Sequence, residues 1–520
     1  MPRSMKRWQL IPQGTLARMQ QEATDAWNRQ DYDESIAILD RASRRDPANA
    51  GLLLDLGRAY GMRYDCAAAE KYFERAARVA PQKSEVLAAA GLQSRGFGRY
   101  EMAKHYFERA MAEPQATPDT CVKLAELYER FRFMKEARAL IERALHLDAH
   151  CALAQLVQAR LARLDGRLEE AEQAARLLVA RADADSWSTR IRGWYELGAI
   201  LDAQARPDDA MAAFLEAKTM AKTNAAGYLA GQRLVHEKLA QVEVELSAEQ
   251  LQRWFHHAPA LGPARRLALL GGHPRSGTTL LEQVLDSHPD LVSAEETTVF
   301  FTEVYLPCRR NLGDETTIVA SLESAAPALL PKLRERYFRC MDTLREDPIG
   351  SRLLIDKNPS LTTLIPAMAR VFPETKFLVA LRDPRDVCLS CFMQPLPLNQ
   401  VSATFLTLED TVAEYVSVMG LWRTVAPKLP NPHLEVRYED MVEDLESSAR
   451  RVLGFLGVAW DERVLRFNEH ARKKLVRSPT YADVTKPVFK GAVGRWHRYQ
   501  KYLEPLLPKL EPFAKAFGYE

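Results

Sequence analysis

Along the first 220 positions, apolar and small residues recur with the spacing of amphipathic helices, and the helices themselves recur. Ala69, Ala103, Ala137 and Ala171 stand 34 residues apart, Phe73, Phe107, Ile141 and Ala175 keep the same interval, and so do Pro47 and Pro81. After a slip of five residues, Trp194, Leu197, Gly198, Leu201, Ala210, Phe214 and Ala217 restore the pattern, and a weaker first unit uses Leu39, Ala42 and Pro47. About six helix pairs are predicted over residues 16–220. Residues 221–261 read as an amphipathic helix and a closing helix that cap the array. His256 and His257 are adjacent, face different ways and receive no ligand role. At Arg266 the period changes. LALLGG is a short apolar run ending in glycines, and TLLEQVLDSHP carries apolar residues at 280, 281, 284 and 285 before a His-Pro stop. Residues 352–360, 376–392 and 433–444 each repeat this passage from a strand into a loop and helix. Apolar strands alternating with helices predict a parallel, doubly wound sheet that binds ligands at the carboxyl ends of its strands.

Leu53, Leu56, Gly57, Tyr60, Ala69, Phe73, Ala76 and Pro81 fall at the spacing L-x-x-L-G-x-x-Y, A-x-x-x-F-x-x-A, P, which resembles the 34-residue tetratricopeptide repeat. The small residues let paired helices approach and the aromatics fill the seams, so each position is structural. An array of this kind presents a groove. The pattern leaves open whether the groove receives a peptide or protein, or the array is a rigid arm or homodimer surface.

Between the first strand and its helix lies Gly272-His273-Pro274-Arg275-Ser276-Gly277-Thr278-Thr279, which keeps the G-x-x-x-x-G frame of a Walker A loop with Thr278 in place of lysine. Backbone N–H groups and a helix N-terminus still converge there, so the loop can cradle an anion, with Arg275 standing in for the lysine. Arg275, Lys357 and Arg382 all fall just past strand ends. Three cations at one crevice imply a substrate with more than one anionic group. LLID, ending in Asp356, also reads as a Walker B strand with a metal-binding aspartate, which keeps a kinase or NTPase in play.

The run PRSGTTLLEQVLDSHPDLVSAEET with LRDPRDVCLS downstream resembles the sulfotransferases, and most of all the tyrosylprotein type. The resemblance covers roughly residues 266–500 and is specific at 272–297, 353–391 and 479–499. It implies 3′-phosphoadenosine 5′-phosphosulfate as donor, with the phosphosulfate in the loop Arg275, Ser276, Gly277, Thr278 and Thr279, and the 3′-phosphate on Arg382 and Ser390. It also implies Tyr438 lining the nucleotide pocket, Arg495 before Trp496 in a closing segment, and Thr480 near the sulfate. Glu296 would be the base and Lys357 the cation or acid at the leaving oxygen, with Arg275 and Thr480 on the sulfuryl oxygens; no metal is expected. Two departures stand out. Arginines that receive acidic peptide side chains in that family are Thr298 and Thr302 here, and an arginine four residues past the 3′-phosphate serine is Gln394.

The expected architecture is α + α/β: a tetratricopeptide-repeat α-solenoid over 1–220, capping helices and linker over 221–261, and a P-loop-like parallel-sheet α/β sulfotransferase domain over 262–520. The duller readings are an Arg382 that only pairs with Asp383 or Asp386, a solvated Glu295–Glu296 pair, and a helix-end role for His288. With 71 Lys+Arg against 69 Asp+Glu, the net charge of +2 supplies no footprint for nucleic acid. No apolar run reaches about 18 residues and no secretory signal is legible, so a cytoplasmic protein without a membrane span is expected. Seven cysteines, an odd number, fit reduced buried thiols, and Cys388–Cys391 fits helix packing rather than a metal or redox pair. A sulfuryl transferase acting on an acceptor hydroxyl leads; a P-loop kinase or NTPase and a repeat adaptor that binds nucleotide without turnover are the alternatives.

Overall fold

The computed structural model describes residues 14–29, 31–114, 116–181, 187–309, 316–345, 347–473, 485, 488 and 491–519. The chain forms two compact units, Met1–Glu196 and Leu197–Glu520, and passes from one to the other inside the helix Trp187–Ala203.

The first unit is a stack of antiparallel helix pairs: Thr15–Asn28 with Tyr32–Arg45, Ala50–Met62 with Cys66–Val79, Lys83–Gly96 with Tyr100–Ala112, Pro118–Arg130 with Met134–Leu147, and Ala152–Leu164 with Leu168–Val179. Side chains of Asn49, Asp65 and Thr117 cap three of these helices by accepting from the backbone N–H three residues on. The repeat positions explain themselves in the packing. Phe73 and Phe107 are fully buried, and a Cβ on Gly57 would run into the Phe73 ring, so glycine is what lets the paired helices close on that aromatic. Ala69, Ala76, Ala103 and Ala110 are buried around the same rings. The five-residue slip falls between Leu168–Val179 and Trp187–Ala203, where residues 182–186 lie outside the described residues.

The second unit opens with the end of the last repeat pair, Pro207–Lys222, followed by the helices Ala226–Glu245 and Ala248–His256. Ser247 and Gln250 form a reciprocal capping box at the start of the latter. Five strands follow: β1 Leu267–Gly272, β2 Leu291–Glu295, β3 Leu353–Lys357, β4 Lys376–Leu381 and β5 His433–Arg437. All pairings are parallel, in the order β2-β3-β1-β4-β5, with Leu270 opposite Lys357, Gly272 opposite Ala380 and Glu295 opposite Lys357. One face of the sheet packs Leu270, Ile355, Leu378 and Val436 against the helices Thr278–Asp286 and Leu445–Leu456. Among the described residues, no helix is long and apolar enough to cross a membrane.

Strand order turns sequence order into a spatial series. The chain runs from β1 to the β2 edge, returns to β3, then crosses β1 to β4 and β5, so connections leave β1 in both directions and open a crevice at its carboxyl end. Glu296 follows β2, Lys357 ends β3, the glycine loop follows β1, Arg382 follows β4 and Tyr438 follows β5. Five strand ends therefore present the candidate residues in one row.

Candidate active site

Gly272 leaves β1 at φ 123° so close to the Ala380 carbonyl that a Cβ would not fit, and Gly277 enters the next helix at φ 88°. A Cβ on Gly277 would stand 2.6 Å from the Tyr438 ring. The loop between them folds back through Ser276 N–H to His273 carbonyl at 3.2 Å, and Arg275 takes φ 73°. Helix Thr278–Asp286 thus starts at the crevice with no side-chain cap among the described residues, the arrangement that attracts anions.

The crevice is a cleft of about 500 Å³. Arg275, Gly277, Thr278, Thr279, Arg382, Ser390, Tyr438, Arg495 and Glu296 all line it. Ser276 is buried beneath the loop, and Thr480 lies outside the described residues. Arg275 donates from Nε to Ser390 Oγ at 3.0 Å. Arg382 donates to the carbonyls of Arg275, at 3.3 Å, and of Ala492, lies 3.6 Å from the Asp386 carboxylate, and stacks over Tyr438 at 5.1 Å. The Nε–H groups of Arg382 and Arg495 are enclosed and have no partner among the described residues. An unsatisfied enclosed donor costs about 1–3 kcal/mol, and two of them on guanidinium groups beside one cleft fit the oxygens of an anionic ligand.

Lys357 sits beneath the cleft. It is fully buried, with Nζ 2.9 Å from Glu296, 3.3 Å from Glu282 and 3.4 Å from Glu295. Strand alternation sends it to the face covered by Thr278–Asp286, which supplies Glu282. Burial disfavours the ammonium, but the three carboxylates outweigh it and hold the Lys357 pKa above its ordinary value. Glu295 is buried, whereas the Glu296 side chain keeps 41% of its exposure and reaches the cleft. Glu296 adopts φ 49°, fixed by its N–H to the Lys357 carbonyl at 2.7 Å. A non-glycine residue in that region carries strain of about 1–3 kcal/mol, which persists where the surroundings impose it.

Residues 268–462 match the model of the sulfotransferase family, and residues 21–84 and 122–186 match the tetratricopeptide repeat. The C-terminal unit carries a sulfotransferase-family domain. Protein-tyrosine sulfotransferase 1 of Danio rerio is 24% identical over 270 residues, 49% of this chain and 74% of that one. An uncharacterized protein of Aquifex aeolicus is 23% identical over 333 residues; the match spans 62% of this chain but only 42% of that protein's length. The sulfotransferase domain of the Synechococcus PCC 7002 olefin synthase aligns with 49% of this chain and 94% of its own, at 23% identity and a TM-score of 0.34.

Within the sulfotransferase domain, Asp356 alternates to the opposite face from Lys357, fully buried, and accepts from the Tyr337 hydroxyl at 2.7 Å. It does not line the cleft, which removes the geometric basis for a Walker B role. Burial pushes its pKa up to about 7 against the opposing effects of Tyr337 and Lys357. The folded state therefore holds a proton that the unfolded chain has lost between about pH 4 and pH 7, so this residue lowers stability as pH rises through that window, by at most about 1.4 kcal/mol per unit. Asp356→Asn is expected to remove that slope. Urea midpoints at pH 5 and pH 8 check it, and equal slopes in both proteins count against the burial argument.

His288 sits at a helix end as expected, its Nε2 2.8 Å from the Ala459 carbonyl, away from the cleft. Cys388 and Cys391 are buried on the helix Pro384–Phe392, and burial pushes the Cys391 thiol up to about 12, as suits packing. Of three supporting carboxylates, sequence reasoning missed Glu282 and Asp202 and named Asp386 only as a partner of Arg382. Glu282 holds Lys357; Asp386 accepts from the N–H groups of Gly494 and Trp496 at 2.8 Å; and Asp202 meets Arg495. Asp386, four residues past Arg382, had a sequence signal as a partner; Asp202 had none.

Proposed function

We propose that the C-terminal domain transfers a sulfuryl group from 3′-phosphoadenosine 5′-phosphosulfate to an acceptor hydroxyl. The observation that carries this reading is one cleft that joins the glycine loop, four guanidinium groups and a strained, exposed carboxylate. In the reaction the acceptor oxygen forms a bond to sulfur as its proton passes to Glu296. The bridging S–O bond breaks, releasing the sulfated acceptor and adenosine 3′,5′-bisphosphate. Loop N–H groups, Arg275 and Thr480 hold the sulfuryl oxygens, and Lys357 supplies positive charge toward the leaving oxygen while fixing Glu296. Arg382, Ser390, Tyr438 and Arg495 bind the nucleotide. A sulfuryl group carries less negative charge than a phosphoryl group, so these cations serve without a metal ion.

Threonine at positions 298 and 302, where the resembling family has arginines that receive acidic side chains, favours an acceptor other than an acidic peptide. The repeat array recognises the acceptor or a partner, or joins two copies. Seven cysteines, an odd number with five of them buried, favour a reducing, cytoplasmic compartment. The donor assignment predicts that calorimetry finds adenosine 3′,5′-bisphosphate bound at least tenfold more tightly than adenosine 5′-monophosphate, since charge-assisted bonds are the strong ones. Arg382→Ala is expected to erase the difference. Equal affinities in the unaltered protein, or a preference that survives Arg382→Ala, overturn the assignment.

A further inference from the structure

One wall of the cleft comes from the first helix of the last repeat pair. Asp202, near the end of Trp187–Ala203, lines the cleft and uses both carboxylate oxygens. Oδ2 accepts from Arg495 Nη2 at 2.7 Å, and Oδ1 accepts from the Tyr499 hydroxyl at 2.7 Å, with Arg498 at 3.6 Å. The helix Pro207–Lys222 adds a second anchor, for the buried Lys218 amino group donates to the carbonyl of Phe405, another cleft residue.

We propose that Asp202 is a positioning residue for the donor, ordering the Arg495 guanidinium before the nucleotide arrives; the proposal rests on the donor reading above. Arg495 is held twice. Asp386 fixes its backbone by taking the N–H groups on either side, and Asp202 fixes the far end of its side chain. Between these two points the Arg495 Nε–H is enclosed with no partner among the described residues, an ordered donor at the cleft. One carboxylate faces two guanidinium groups, Arg495 and Arg498, so the cluster keeps an excess positive charge for an anion. An arginine side chain loses much rotamer freedom when a ligand orders it, and ordering it beforehand lowers that cost of binding. The C-terminal end of Trp187–Ala203 is in this way a part of the donor site, and donor affinity depends on its placement.

The test is a double-mutant cycle on the full chain, read by calorimetry with adenosine 3′,5′-bisphosphate. Asp202→Asn is expected to weaken binding about tenfold, the scale of a hydrogen bond between charged groups, and to raise the donor KM by a larger factor than it lowers kcat. Asp202→Glu, which restores the charge, is expected to recover part of the affinity. In an Arg495→Ala background, Asp202→Asn should cost nothing further. Affinity for Asp202→Asn equal to or tighter than that of the unaltered protein overturns the proposal, the tighter result making Asp202 a competitor of the donor. A full Asp202 effect that persists without Arg495 overturns it too. Failure of the unaltered protein to bind the bisphosphate sinks the donor reading instead, so the two failures are distinguishable. Asp202→Glu and a thermal melt of each variant separate loss of binding from loss of fold.

Discussion

Glu296→Gln is expected to lower the single-turnover rate about 10²–10⁴-fold, the usual cost of removing a general base, while nucleotide affinity stays close to that of the unaltered protein. The split follows from where the residue sits. Glu296 lines the cleft at the β2 end of the row, whereas Arg382 and Tyr438 follow β4 and β5 at the other side of β1. Glutamine keeps the length of the side chain and an oxygen that can accept from Lys357, so the local backbone has no reason to move; only the ability to take the proton is lost. Glu295→Gln is expected to be milder in rate, because that carboxylate is buried and faces Lys357 rather than the cleft. Rapid-quench measurement of one turnover, paired with calorimetry, checks both variants. Near-normal turnover in Glu296→Gln with a loss in Glu295→Gln would move the base by one residue.

Lys357→Met is expected to damage stability as well as rate. Glu282 and Glu295 are buried and Glu296 is exposed around one ammonium, and removing that cation leaves three carboxylates facing one another. Breaking a buried pair costs about 3–5 kcal/mol, and loss of a preorganised cation lowers the rate about 10²–10³-fold. The pH dependence should change in a defined direction. In the unaltered protein the Lys357 pKa is raised above its unfolded value of 10.5, so its contribution is fully present below that pH and is lost only as pH rises through the folded value. It adds no slope between pH 5 and pH 8. In the variant the carboxylates lose their cation and take up protons, so their folded pKa values rise above the unfolded ones and stability falls as pH climbs from about 4 toward 7. Urea denaturation across pH 5–8 reads this directly. A variant as stable as the unaltered protein, with the same pH profile, would show that the three carboxylates do not depend on Lys357.

Much of this molecule is written in local pattern. A 34-residue interval of small and aromatic residues specifies paired helices, because Gly57 must yield space to Phe73 wherever the pair closes. The glycine loop is equally legible, since Gly272 and Gly277 occupy backbone conformations and close approaches that a side chain would block. Positions just past apolar runs were readable as strand ends, which singled out Arg275 and Arg382, whereas Glu296, Ser390, Tyr438 and Arg495 were named through the family resemblance; all six line one cleft.

What the sequence left open depends on which elements become neighbours. Arg382 was readable either as a partner of Asp386 or as a ligand group, and the fold lets it be both: it lies 3.6 Å from Asp386 while its enclosed Nε–H remains without a partner among the described residues. Asp356 and Lys357 are consecutive in sequence, yet the pleat sends one to Tyr337 and the other to Glu282, and only the helices covering each face decide that the first is a packed acid and the second a buried cation. Asp202 reaches Arg495 across 293 residues of chain. Periodicity fixes what a residue's own helix or strand does because it reports short-range geometry. The order β2-β3-β1-β4-β5, and with it the choice of carboxylate beside each cation, arises from long-range packing that no local spacing encodes.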